Sequence, residues 1–433
     1  MKEYTRIAIF ILIVSLYQYK CHDFSGQNAP KSFAGYSVFR AVPVDETDLE
    51  NLKSLAEKEE YELDFWKHPK EVNQAVDIMV PPDKIQFIEQ FLVANRIPRT
   101  IMMFDVERYI IKEKIEMSAP SFLIGRDSNA FFTNYKGLNE IFKFLEDTVA
   151  MNPNIAEIIS IGVSTEGNDL KVIKIGSKSN STKPAIWING GIHAREWISP
   201  ATVSFIAHSL VIEYDNHDDV KEMVDYFDWY LLPVSNPDGY VYSHTFNRMW
   251  RKSRTRAQIF CRGVDLNRNF GFHWREGGSS ARPCSDTFAG SRAFSEPETK
   301  AISDYILKQN KRFVAFLDIH SYSQLWLTPW GWTNSLPNDY DDMIEVANEA
   351  TKALYDVYGT KYRTGSSTNV LYVATGGSDD WAYGIAGIKY SYTIELRDTG
   401  RYGFMLPSEQ IIPTGEETWA GIKAMARAIQ KKL

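Results

Sequence analysis

From Asp127 to Leu433, apolar runs of strand length alternate with amphipathic runs of helix length, and this constrains the fold more than any other feature. "PAIWI", "DWYLLPVS", "RFVAFLDIH" and "KYSYTIEL" are almost continuously apolar, as strands buried on both faces must be. "IAEIISIGVSTEGNDLKVIKIG" reads as a hairpin with turn residues at its middle. Between these runs, "NYKGLNEIFKFLEDTVAM", "ISPATVSFIAHSLVIEY", "SEPETKAISDYILKQ" and "YDDMIEVANEATKALYDVYG" read as helices. "GEETWAGIKAMARAIQKKL" closes the chain as another, acids first and lysines last, as the helix dipole favours. Such interleaving calls for an α/β sandwich with a mostly buried sheet, a class in which ligands gather at the carboxyl ends of strands.

A different rhythm precedes this domain, over residues 30–113. "YSVFRAVPV" alternates as a strand, "ETDLENLKSLAEKEE" is an amphipathic helix and "VDIMVPP" a short strand. "KIQFIEQFLVANRI" is a second helix, and "TIMMFDVERYII" reads as a closing strand. The order describes a small α+β module with helices on one face of a sheet. Periodicity lapses between Lys112 and Asn129, so residues 114–126 are taken as a linker, leaving 127–433 as the large domain. Basic residues in the linker, Arg126 among them, suit a trypsin-like protease. At the amino terminus Lys2 and Arg6 lead into "IAIFILIVSLY", the length of a signal-peptide core and short for a bilayer span. Residues 1–22 are read as a removed secretory signal, with a retained anchor as the alternative. Signal, module, cuttable linker and large domain together suggest a secreted zymogen; a binding module that is never cut is the plainer alternative.

The net charge of −7, with no local block of Lys and Arg, argues against a nucleic-acid partner. No second apolar run is long enough to cross a membrane, and a monomer is expected. Cys21 lies at the edge of the signal, which leaves Cys261 and Cys284 as an even pair and a structural disulfide. The sequon Asn180-Ser181-Thr182 falls in a polar turn and is a glycan candidate.

"GGIHAREW" leaves the strand "PAIWI" through two glycines and at once presents His193, Arg195 and Glu196. Spaced three apart, His193 and Glu196 share a face, and a catalytic zinc takes three such ligands with one position left open. His320, at the end of "RFVAFLDIH", is the best third candidate. A lone histidine in a turn is more often an ordinary satisfied polar group. Further misplaced polar groups shift the balance: Glu395 interrupts an apolar strand pattern, where a carboxylate has to be paired, metal-bound or active as an acid or base. His208 is placed within a helix, and His217, His244 and His273 in polar loops.

"GGIHAREWISP", "NRMWRKSR", "GVDLNRNF", "DIHSYSQ" and "YSYTIELRDTGRYGF" resemble, in the right order, the motifs of the zinc metallocarboxypeptidases of the pancreatic A/B type. The first module resembles that family's activation domain more weakly. The resemblance implies a mixed eight-stranded sheet with helices on both faces, preceded by a ferredoxin-like activation domain. It implies one zinc ion per chain held by His193, Glu196 and His320, with Glu395 as general base and Arg251 steadying the oxyanion. It implies that Arg268, helped by Asn267 and Tyr372, grips the free terminal carboxylate of a peptide or protein substrate, which makes an exopeptidase. Arg195 and Tyr322 become contacts further along the peptide, and Asp265 the carboxylate that orients a zinc histidine. Asp379 falls where the family sets the floor of the terminal side-chain pocket, and an aspartate there resembles the B-type pattern that pairs with Lys or Arg. The alternatives are an Asp379 turned outward or neutralised by a neighbour, for instance Lys389. An extra residue near Gly384-Ile385-Ala386 is expected to make a bulge or longer turn, and the loop from Asp64 to His68 to cap the cleft.

Overall fold

The structure, a computed structural model, describes residues 29–118, 128–257, 261–309 and 311–433. The signal reading, Cys21 and Arg126 lie outside them.

The first module runs β1 (Ser37–Ala41), α1 (Glu46–Ala56), β2 (Asp64–Lys67), β3 (Val76–Val80), α2 (Ile85–Ala94), β4 (Arg99–Met103) and α3 (Val106–Ser118). Its antiparallel sheet has the order β2-β3-β1-β4, the ferredoxin-like arrangement expected. Strand alternation explains why both faces are apolar. Phe39, Phe65 and Ile78 point to a core with Leu52 and Leu55 of α1 and Ile88 and Leu92 of α2. Val38, Trp66 and Met79 point the other way and share a second core with Met249, Tyr322, Phe404 and Met405 of the large domain. The back of the sheet is therefore a docking face.

"TIMMFDVERYII" is a strand only as far as Met103. The Asp105 carboxylate accepts from Glu107 N at 3.1 Å and Gly35 N at 3.2 Å, capping a helix where the apolar pattern suited either period. That helix continues to Ser118, so the first residues of the expected linker are helical, with Glu113 buried.

The large domain contains α4 (Leu138–Met151), β5 (Ala156–Val163), β6 (Asp169–Ile175), β7 (Ala185–Gly190), α5 (Ile198–Ile212), α6 (Asp218–Tyr226), β8 (Asp228–Leu232) and α7 (Pro237–Thr245). It continues with α8 (Pro297–Lys308), β9 (Phe313–Ser321), β10 (Leu325–Thr328), α9 (Tyr340–Tyr358), β11 (Arg363–Ser366), α10 (Ser367–Val370), α11 (Ser378–Gly384), β12 (Tyr390–Leu396) and α12 (Ile411–Gln430). Its eight-stranded sheet has the order β11-β10-β12-β9-β7-β8-β6-β5, parallel from β12 to β8 and mixed at the edges. Residues of α4, α5, α6, α9 and α12 cover one face, and residues of α8 and α11 the other. The parallel strands β7 and β9 end side by side, which brings the "HARE" turn to the end of "DIH". The edge strands β10 and β11 and the helices α6, α7 and α11 escape the sequence reading. His244 consequently lies on α7 rather than in a polar loop: Pro237 starts that helix and Asn236 caps it through Gly239 N at 2.9 Å. Cys261 and Cys284 form the expected disulfide.

One buried acid makes stability depend on pH. Glu298, in the first turn of α8, is fully buried; its Oε1 accepts from Thr165 N at 3.3 Å, and its Oε2 has no partner among the described residues. Burial pushes its carboxyl up to about 8. An unfolded glutamate ionises near 4.3, so between that pH and 8 the unfolded chain binds fewer protons and stability falls as pH rises. Glu298→Gln should flatten the fall in Tm between pH 5 and pH 8, recovering on the order of 5 °C at the upper end. Parallel Tm-against-pH curves for variant and parent would contradict this.

Candidate active site

Gly191 adopts φ +63°, and a Cβ there would lie 3.1 Å from Pro233 O, so only glycine lets the chain fold back off β7. The turn is held by Gly191 N donating to Ser199 Oγ at 2.9 Å. It presents His193 Nδ1 2.9 Å from Glu196 Oε1. His320, at the end of β9, brings its Nδ1 to 3.1 Å from His193 Nδ1 and 3.0 Å from Glu196 Oε2. All three residues are buried, and their donor atoms lie within 4.8 Å of one another.

The outer nitrogens explain the orientation. His193 Nε2 lies 3.1 Å from Asp265 Oδ1, and His320 Nε2 lies 3.0 Å from Asp318 Oδ2. A carboxylate behind each ring fixes a proton on the outer nitrogen and turns an inner lone pair toward the other histidine. Two facing lone pairs beside a buried carboxylate repel unless a cation lies between them, and two imidazoles with one carboxylate suit zinc with an open position. The donor set therefore fits the metal.

Asp265 also receives Arg251, through Nη2 at 2.9 Å and Nε at 3.1 Å. Burial opposes ionisation of Asp265, but Arg251 and His193 prevail and hold it well below the usual range. Glu395 lies on β12 directly across from His320 on β9. Burial, with Glu196 adding to it, pushes its carboxyl up to about 8 against the pull of His320 and Arg251. Arg268 is 4% exposed and gives Nη1 to Asn267 O at 2.8 Å and Nε to Gly278 O at 3.3 Å. Asn267 accepts from Ser378 N at 2.8 Å and places Nδ2 3.3 Å from His320 Nε2. Arg268 is thus aimed by carbonyl oxygens and carries no carboxylate partner among the described residues.

Asp379 sits in the first turn of α11, 6% exposed. It is buried, and Lys389 pairs with Asp342 rather than with it. Ser367 Oγ donates to Asp379 Oδ2 at 3.3 Å, and no Lys or Arg pairs with that carboxylate among the described residues. Burial pushes its pKa up, a penalty that a cation beside it would relieve. After α11 the chain makes a turn in which Ile385 N and Ala386 N both donate to Trp381 O at 2.9 and 3.1 Å.

Comparison with known proteins reaches the same chemistry. Residues 141–421 match the family described as "Zinc carboxypeptidase", and residues 39–113 match "Carboxypeptidase activation peptide". The chain belongs to the zinc carboxypeptidase family. It is 41% identical to carboxypeptidase A2 of Mus musculus over 92% of this chain and 95% of that protein. It is 48% identical to carboxypeptidase B of Astacus astacus over 69% of this chain and 98% of that one. Among solved structures, thrombin activatable fibrinolysis inhibitor superposes with a TM-score of 0.84 at 34% identity, covering 93% of this chain and all of the other. Carboxypeptidase A from Helicoverpa armigera superposes with a TM-score of 0.83 at 30% identity, covering 92% and 98%.

This zinc carboxypeptidase is a zymogen of A/B type, and its activation domain lies over the cleft. The strand β2 caps it as expected from Asp64 to His68: Arg195 Nη1 donates to Asp64 Oδ2 at 2.6 Å, and Trp66 packs on Phe404 with ring centroids 5.1 Å apart. Tyr322 OH donates to Asp77 Oδ2 at 2.8 Å, and Arg248 forks onto Glu113 at 2.6 and 3.0 Å. In this form both expected peptide contacts, Arg195 and Tyr322, are occupied by carboxylates of the activation domain. Sequence reasoning passed over Asp318, Arg248, Asp77 and Glu113. Asp318 had the same signal as Glu395, an acid inside an apolar strand. Asp77 had it as well, inside "VDIMV", and is forked by Arg40 of its own sheet at 2.7 Å besides meeting Tyr322; Arg248 and Glu113 had none, because each finds the other across the two domains.

No helix among the described residues is long and apolar enough to cross a membrane.

Proposed function

We propose that this zinc carboxypeptidase is a secreted enzyme that removes C-terminal Lys or Arg from peptides and proteins after a trypsin-like protease cuts the linker, Arg126 being the expected cut. The observation carrying the basic preference is Asp379: a buried carboxylate without a cationic partner among the described residues, on the helix that also supplies Ser378 N to Asn267 beside Arg268. A buried charge facing an apolar side chain stays uncompensated, whereas a guanidinium or ammonium group cancels it. The B-type relative from Astacus astacus agrees with this reading. Apolar or broad preference is the second reading, favoured by the many A-type relatives.

His193, Glu196 and His320 would hold the zinc, which when bound supplies a Lewis acid to polarise the scissile carbonyl and activate water. Arg268, with Asn267 and Tyr372, clamps the terminal carboxylate and sets the register of the bond to be cut, because a mid-chain bond offers nothing to grip. Glu395 accepts the proton of the attacking water and passes it to the leaving amine. A carboxyl with a raised pKa is suited to both transfers. Arg251, held by Asp265, faces the developing oxyanion with a charge already oriented. Arg195 and Tyr322 take up the peptide once the activation domain leaves. Asn180, exposed in the turn before β7, is positioned to carry a glycan.

The test is turnover of two blocked dipeptides, ending in Arg and in Phe, by trypsin-treated protein with and without a zinc chelator. The expected result is release of Arg at least about a hundredfold faster than Phe, both abolished by chelation and restored by zinc. Faster release of Phe would replace the basic reading with the apolar one, and turnover indifferent to chelation would refute the metal site.

A further inference from the structure

The cap over the cleft ends in a residue whose charge can change. His68 follows β2 directly; its ring stacks on Phe65 at 5.6 Å and meets the edge of Tyr372, the expected substrate-clamping tyrosine, at 5.2 Å. Besides Tyr372, which it touches, the charged groups of the large domain that act on its imidazole are Arg251, Arg268, Arg195 and Asp286. From the activation domain, Asp64 is committed to Arg195 at 2.6 Å, and Lys67 is a further cation alongside. Of these guanidinium groups Arg195 is paired with Asp64 and Arg251 with Asp265, whereas Arg268 has no carboxylate partner among the described residues.

A carboxylate would be the electrostatically easy choice at such a place. The chain instead puts there the one side chain that is neutral at pH 7 and cationic near pH 5. We infer that His68 is an acid-sensitive latch of the zymogen: as the neutral imidazole it seats the activation domain over the cleft, and its protonation drives that domain off the arginine cluster.

The sign follows from linkage. Burial first, then Arg251, Arg268 and Arg195, pushes the seated imidazole down to about 4, whereas a released histidine titrates near 6.5. Seating is therefore at full strength above the released value and weakens as pH falls below it, by about ten- to thirtyfold at pH 5. Asp64, Asp77 and Glu113, the other carboxylates at the docking face, are engaged with arginine or tyrosine.

The inference concerns how the proposed enzyme is held inactive, so its test needs a readout independent of turnover. In the full uncleaved chain, hydrogen exchange of the backbone over Asp64–Lys67 would be followed at pH 7.5 and 5.0, corrected for the intrinsic rate. In parallel, chelator-sensitive turnover by the zymogen would be expressed as a fraction of that of trypsin-treated enzyme at each pH. Acidification should cut the protection of β2 and raise the fractional activity about tenfold or more in the parent, but in neither His68→Phe nor His68→Gln, while His68→Lys should already be open at pH 7.5. Protection that survives at pH 5.0 in the parent, or an equal loss in His68→Phe, overturns the latch whatever the activity. An inactive trypsin-treated protein whose β2 still opens with acid would count against the proposed enzyme alone.

Discussion

Replacing Asp379 with isoleucine is expected to invert the preference of the activated enzyme. Release of C-terminal Arg should fall by about 10²- to 10³-fold in kcat/KM, the effect of removing one partner from a buried ion pair. Release of Phe should rise, by about tenfold, because an apolar pocket floor no longer leaves a charge stranded. The isosteric change Asp379→Asn separates charge from shape: it keeps the side-chain volume against Ser367 and should lose Arg release without gaining Phe. Because Arg268 and Asn267 are untouched, both substrates should still require a free terminal carboxylate. An Asp379→Ile enzyme that still favours Arg would show that the carboxylate does not meet the substrate side chain.

Glu395→Gln carries the other large effect. The amide fills the same space across from His320, so folding and zinc content should stay as in the parent. Without a basic carboxylate, kcat should drop by roughly 10²- to 10⁴-fold, the usual contribution of a positioned acid–base group. KM should move only a few-fold, since the carboxylate clamp is intact, and the split between kcat and KM separates loss of the base from loss of substrate binding. A reduction below about tenfold, with metal still bound, would remove Glu395 from the proton-transfer role.

Parts of the site and the fold were legible in the chain because they break a local rule. His193, Glu196, His320 and Glu395 are polar groups at the ends of, or inside, apolar strands, and burial without a partner is costly enough to mark them. The central strands β7, β8, β9 and β12 showed themselves because burial on both faces demands uninterrupted apolar runs. Where two periods fit the same letters, the pattern misled. "MMFDVERYII" suits strand or helix, and the choice fell to Asp105, whose carboxylate caps α3 while also holding Gly35.

The chain by itself determined which polar groups stand out beside or inside apolar runs and which runs must be buried, since these follow from the polarity and spacing of near neighbours. Only the tertiary structure decided how the activation domain blocks the site. The strand β2 is four residues long and becomes a strand by pairing with β3. Asp64 meets Arg195, Asp77 meets Tyr322, and Glu113 meets Arg248 across sequence separations of 131, 245 and 135 residues. His68 likewise gains its arginine surroundings only when the docking face of the small sheet closes on the large domain. Patterning is set by residues a turn or a pleat apart, whereas an ion pair between domains depends on which two surfaces meet, and no short stretch of either surface specifies the other.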